Sequence, residues 1–119
     1  MILRTPSILH VCCRETILEL RDQILRLQGY EVVSTLYLSE ALPLFQKGSF
    51  DLVLIDVEGD GRIAQAEKLC GEIRDAVHGQ KVAFVCNHRV SIESDCPDEL
   101  IRAEFNPEAL VRGVKEIVN

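Results

Sequence analysis

Two spacings of apolar residues alternate along this chain. Short, nearly unbroken apolar runs at 7–13, 31–36, 52–55, 81–86 and 100–103 read as strands. The run Leu52–Val53–Leu54–Ile55 has no polar alternation, the signature of a strand buried on both faces of a parallel sheet. Between these runs, apolar residues recur every three or four positions. In 15–28, Ile17, Leu20, Ile24 and Leu27 form one predicted stripe, with Leu18 and Leu25 beside it and Gly29 as the stop. A second helix is expected over 40–47, capped by Ser39 and holding Pro43 late in its first turn. A third, over 63–77, buries Ile63, Ala66, Leu69, Cys70, Ile73 and Val77 and stops at Gly79. Asn106-Pro107-Glu108 is a helix start, an N-cap followed by proline at the first helical position. Leu110, Val111, Val114, Ile117 and Val118 supply the buried face of that last helix.

Strands alternating with helices at this spacing imply right-handed βαβ units. The expected fold is a single α/β domain over 1–119, a doubly wound five-stranded parallel sheet of order 2-1-3-4-5 with helices on both faces. The stretch 87–98 is polar, with only Val90 and Ile92 as apolar anchors, so a fourth helix there is expected to be shortened or absent.

Composition narrows the classes. A length of 119 residues at 47% apolar suits one domain with a real core. A net charge of −6 argues against a bare nucleic-acid binder, which needs a basic face. No apolar run is long enough to cross a bilayer, and the first residues do not read as a signal peptide, so a soluble cytoplasmic protein is expected. The five cysteines are an odd number without CxxC pairing, which favours reduced thiols.

In such sheets the chemistry lies at the carboxyl ends of the strands, beside the reversal of strand order. Asp56, Glu58 and Asp60 follow the central strand, and acidic groups there require water, a cation or a donor. The predicted order brings Cys12, Cys13, Asp56 and Cys86 toward one patch.

In element order, in the strand FDLVLID, in QGYEV after the first helix and in FNPEAL before the last, residues 8–118 resemble a receiver domain of bacterial two-component response regulators, the CheY-like, flavodoxin-like fold. The resemblance makes Asp56 the phosphoryl-accepting aspartate. It also implies an acidic pair for Mg²⁺ where Cys12 and Cys13 stand, a Ser or Thr at Cys86, and a lysine at Ala103, with Glu104 in place of the usual proline. Arg102 is adjacent to Ala103, but neighbouring strand residues point to opposite faces. Leu100 stands at the family's aromatic switch position.

With the metal carboxylates, hydroxyl and lysine replaced, the resemblance implies a degenerate receiver that is not an enzyme. It would signal through a protein partner, a histidine kinase or a downstream signalling protein, with phosphorylation at Asp56 weak or absent. A homodimer is an open possibility; nucleic acid and membrane are not expected partners. No cofactor is expected, or Mg²⁺ if Asp56 is phosphorylated. Two alternatives stand beside this reading. One is a conventional phospho-accepting receiver. The other is a thiol redox or soft-metal sensor at Cys12, Cys13 and Cys86, with Asp56 and Glu58 as further candidate ligands.

Each residue also has a plainer reading. Asp56 can be a strand-end carboxylate bonded to backbone N–H groups, and the three thiols small buried hydrophobes. His10 reads as a satisfied sheet histidine and Cys70 as core packing. Cys96 reads as exposed and incidental, and His78 and His88 as loop residues. Leu18 and Leu25, off the predicted stripe, and the exposed part of the last helix are candidates for a partner surface.

Overall fold

The computed structural model describes residues 5–86, 94–103 and 106–118. Five strands form one parallel sheet: β1 (Ser7–Val11), β2 (Glu31–Thr35), β3 (Leu52–Val57), β4 (Val82–Cys86) and β5 (Glu99–Arg102). Their order is β2-β1-β3-β4-β5, as the alternating periodicity predicts. Helices α1 (Glu15–Leu27), α2 (Leu38–Lys47), α3 (Ile63–Ala76) and α4 (Pro107–Val118) cover the faces, and a 3₁₀ turn (Asp60–Arg62) leads from β3 into α3. Among the described residues no helix is long and apolar enough to cross a membrane. The expectation for a shortened fourth helix falls largely on 87–93, outside the described residues; residues 94–98 are not helical.

Two apolar layers flank the sheet, and strand alternation sorts side chains between them. Leu9, Val11, Val53, Ile55, Val57, Phe84 and Cys86 point toward α2 and α3, packing on Ala41, Phe45, Ala66, Leu69, Cys70 and Ile73. Ile8, Leu52, Leu54, Ala83, Val85 and Ile101 point toward α1 and α4, packing on Leu25, Leu110, Val114 and Ile117. The α4 start behaves as its sequence predicts: the Asn106 side-chain oxygen accepts from Ala109 N at 3.1 Å. Helix α4 lies close to β5 at Gly113, where a Cβ would stand 2.8 Å from Ile101 Cγ1.

Two local expectations need correction. Ser39 is not the cap of α2, since the helix begins two residues earlier than expected, at Leu38, with Tyr37 at the N-cap. Thr35 does the anchoring there, its Oγ1 accepting from Tyr37 N and its hydroxyl donating to Glu40. The larger correction is the face of α1. The predicted stripe leaves Leu20 48% and Leu27 83% exposed, while Leu25 is fully buried. The inward face is centred on Arg21 and Leu25, with Ile24 of the predicted stripe half-buried beside them and Ile17 and Leu18 half-buried further up the helix. Leu25 is therefore core, not partner surface.

Candidate functional site

Asp56 ends the sheet-buried part of β3. Val57 and Cys86, paired across β3 and β4, both belong to the layer under α2 and α3, so alternation turns Asp56 the other way, beneath α1. There Arg21, on the inward face of α1, places Nη1 2.5 Å from Asp56 Oδ1. The two side chains are 4% and 2% exposed. This is a buried charge-assisted pair, the arrangement that makes an ionised carboxylate tolerable away from water. The strand-end carboxylate is thus satisfied by a guanidinium rather than by backbone N–H groups.

The other oxygen, Asp56 Oδ2, has no hydrogen-bond partner among the described residues. Asp56 borders a cleft of about 20 Å³ lined also by Cys13, Ile55, Glu58 and Arg62, which is room for roughly one water.

A second small cavity is lined by Arg21, Ala103, Ile24 and Leu110. Ala103 is buried just beyond β5. Ala103 and Arg21 thus border one small cavity between α1 and the end of β5.

The polar layer continues under α1. His10, fully buried in β1, has Nδ1 3.3 Å from Ser34 Oγ. The Ser34 hydroxyl donates to Asp22 Oδ2 at 2.8 Å, so the ring's Nδ1–H donates to Ser34. Nε2 has no partner among the described residues. Burial, reinforced by Arg21, lowers the His10 pKa to about 3, with Asp22 opposing. His10 is therefore neutral at physiological pH, satisfied at one nitrogen only.

The Asp56 charge contributes to raising the pKa of each of the three thiols. Their environments differ. Cys12 is buried, its Sγ 3.7 Å from Arg14 O, and burial with the Asp56 charge pushes its pKa up to about 11. Cys86 is buried in the α2–α3 layer and is likewise pushed up to about 11, chiefly by burial. Cys13 is exposed, and its pKa is raised by partial burial and by Glu58. All three are thiols at neutral pH, whereas the nucleophile and the metal ligand is the thiolate.

Glu58 forms an ion pair with Arg14, and Asp60 lies in the 3₁₀ turn that opens the way to α3. Among the described residues, no three His, Cys, Asp or Glu side chains group as a metal site. Mg²⁺ requires near-octahedral oxygen ligands. Asp56, already holding a guanidinium, with sulfur at 12 and 13, is a poor donor set for it.

Arg21 carries the site electrostatically, and sequence reasoning missed it. The available signal was an arginine at three- and four-residue spacing between Leu18 and Leu25, a charge on what proves to be the inward face.

No family profile matches the chain, and no curated protein sequence does. Solved structures do. One chain in the structure of histidine kinase ThkA in complex with response regulator protein TrrA is 30% identical, with a TM-score of 0.81, covering 97% of this chain and 100% of that one. TrrA from Thermotoga maritima in complex with Mg²⁺–BeF is 29% identical, with a TM-score of 0.79, covering 95% and 99%. The chemotaxis response regulator CheY4 of Vibrio cholerae is 20% identical, with a TM-score of 0.81 over 96% and 99%; at that identity the likeness speaks to the fold.

Proposed function

We propose that this chain, which belongs to the CheY-like receiver domains of response regulators, signals through a protein partner while its acceptor aspartate stays in a buried ion pair. The observation that carries this reading is the 2.5 Å contact from Arg21 to Asp56. Phosphoryl transfer depends on cations placed to neutralise the transferring oxygens, and on a donor that reaches the acceptor in line. Here one carboxylate oxygen is already committed to Arg21. The other is buried, and the cleft that Asp56 borders is about 20 Å³, too small for a phosphoryl donor unless the site opens. Cys12 and Cys13 supply no carboxylate for Mg²⁺.

Arg21 offers a coherent account of the loss at 103. The family's cation arrives there from the fifth strand and meets the phosphoryl group. In this chain a cation arrives from α1 and meets the carboxylate itself, and Ala103 supplies none from β5. The charge is compensated without any ligand, so the domain holds one state. A partner such as a histidine kinase, of the kind seen with TrrA, or a downstream signalling protein would then recognise the fixed surface.

Incubation with Mg²⁺ and acetyl phosphate or beryllofluoride, read by intact mass and by NMR, tests the proposal. The expected outcome is no added mass and no shift of the Asp56 amide at millimolar metal. A stable adduct that disappears in Asp56→Asn overturns it in favour of a conventional receiver.

A further inference from the structure

The polar segment before β5 is fastened to α3 by three side-chain links in register. Ser94 Oγ donates to Glu67 at 2.8 Å, Cys96 Sγ lies 2.6 Å from Cys70 Sγ, and Arg74 donates to Asp98 at 2.7 Å. Residues 67, 70 and 74 share one face of a helix, and 94, 96 and 98 meet them in turn along a bent segment. Asp98 is tied to the sheet as well: its backbone N donates to Val82 O and its carboxylate accepts from Val82 N. The cysteines are thus held together from above and below, although 26 residues separate them in sequence. Two sulfurs at 2.6 Å are well inside the separation of unbonded thiols, though longer than a bond of about 2.05 Å.

We propose that Cys70 and Cys96 form a peroxide-responsive disulfide that locks the 94–98 segment onto α3. Cys70 is fully buried, whereas Cys96 is only half-buried, so the oxidant reaches Cys96 first. The Cys96 thiolate attacks one oxygen of hydrogen peroxide; the O–O bond breaks and hydroxide leaves, giving a sulfenic acid. Cys70 sulfur then attacks the Cys96 sulfur. The S–O bond breaks, and hydroxide takes up the Cys70 proton and leaves as water. In total, two thiols lose two electrons and two protons, and one peroxide becomes two waters. Burial and the neighbouring sulfur push the Cys70 pKa up to about 12 in the reduced pair, which fits Cys70 as the resolving thiol and not the one oxidised first. This site is separate from Asp56 and stands whether or not Asp56 is phosphorylated.

The experiment treats the reduced protein with hydrogen peroxide in the presence of dimedone, then alkylates and digests with trypsin without reductant. The expected product is peptide 69–74 joined to peptide 90–102, with the loss of two hydrogen atoms. In Cys70→Ser the sulfenic acid has no partner, and the dimedone adduct should accumulate on Cys96. Cys96→Ser, a change at the surface end of the pair, should abolish the cross-link with the fold retained by circular dichroism. Separately alkylated 69–74 and 90–102 peptides after oxidation of the wild type overturn the proposal. So does a cross-link through Cys12, Cys13 or Cys86 in place of this one, or one that survives in Cys96→Ser.

Discussion

Removing Arg21 while keeping its bulk isolates the energetics of the buried pair. Arg21→Met retains an unbranched stem of similar reach, so the packing that the arginine stem provides is largely conserved. What is lost is the only cation contacting a carboxylate 2% exposed among the described residues. Breaking a buried pair in this way costs about 3–5 kcal/mol, because the remaining charge is buried without compensation. That is a large share of a domain's total of about 5–15 kcal/mol. Replacing both partners should behave differently. Arg21→Met with Asp56→Leu leaves no orphaned charge, and such replacements range from neutral to stabilising by about 1–4 kcal/mol. Urea unfolding at pH 7, extrapolated linearly, measures all four corners of the cycle. The double variant should recover most of the loss seen in Arg21→Met. The reasoning fails if Arg21→Met costs less than about 1 kcal/mol, or if Asp56→Leu shifts stability equally in both backgrounds.

Two further outcomes follow from burial. His10 has its folded pKa lowered from 6.5 to about 3, so between those values the unfolded chain binds the extra proton and stability falls as pH falls. This group alone should cost about 2 kcal/mol between pH 7 and pH 5. His10→Gln should flatten that part of a urea-midpoint profile against pH, and an unchanged slope would remove His10 as its source. On α1, Leu25→Ala should cost about 2–5 kcal/mol and Leu27→Ala under about 0.5 kcal/mol. Equal losses, read from thermal or urea unfolding, would restore the stripe that periodicity suggested.

The wrong stripe shows where local pattern stops being informative. Helix α1 carries apolar residues at Ile17, Leu18, Leu20, Ile24, Leu25 and Leu27, enough to draw two overlapping stripes about one residue's rotation apart. Hydrophobic spacing favours the set with four members. Docking against β2, β1 and α4 selects the other, and that rotation carries Arg21 to Asp56. The cysteines show the same limit. Cys70 was legible as core from its helical spacing, but nothing local to Cys96 indicates that it meets a residue 26 positions away.

The sequence by itself determined the kind and order of the elements, the parallel sheet, the capped start of α4 and the position of Asp56 at the end of the central strand. These rest on short-range rules: side chains repeat every two residues in a strand and about every 3.6 in a helix, caps act within one turn, and crossover handedness is nearly invariant. Tertiary structure alone decided that Asp56 meets a guanidinium, that His10 is buried neutral beneath α1, and that Cys96 lies on Cys70. Each is a contact between groups distant in the chain, fixed by the rotation of one helix or the path of one loop over the sheet. An arginine reads as solvent-facing in any local window, and it becomes an internal counter-ion only when the fold supplies the carboxylate to receive it.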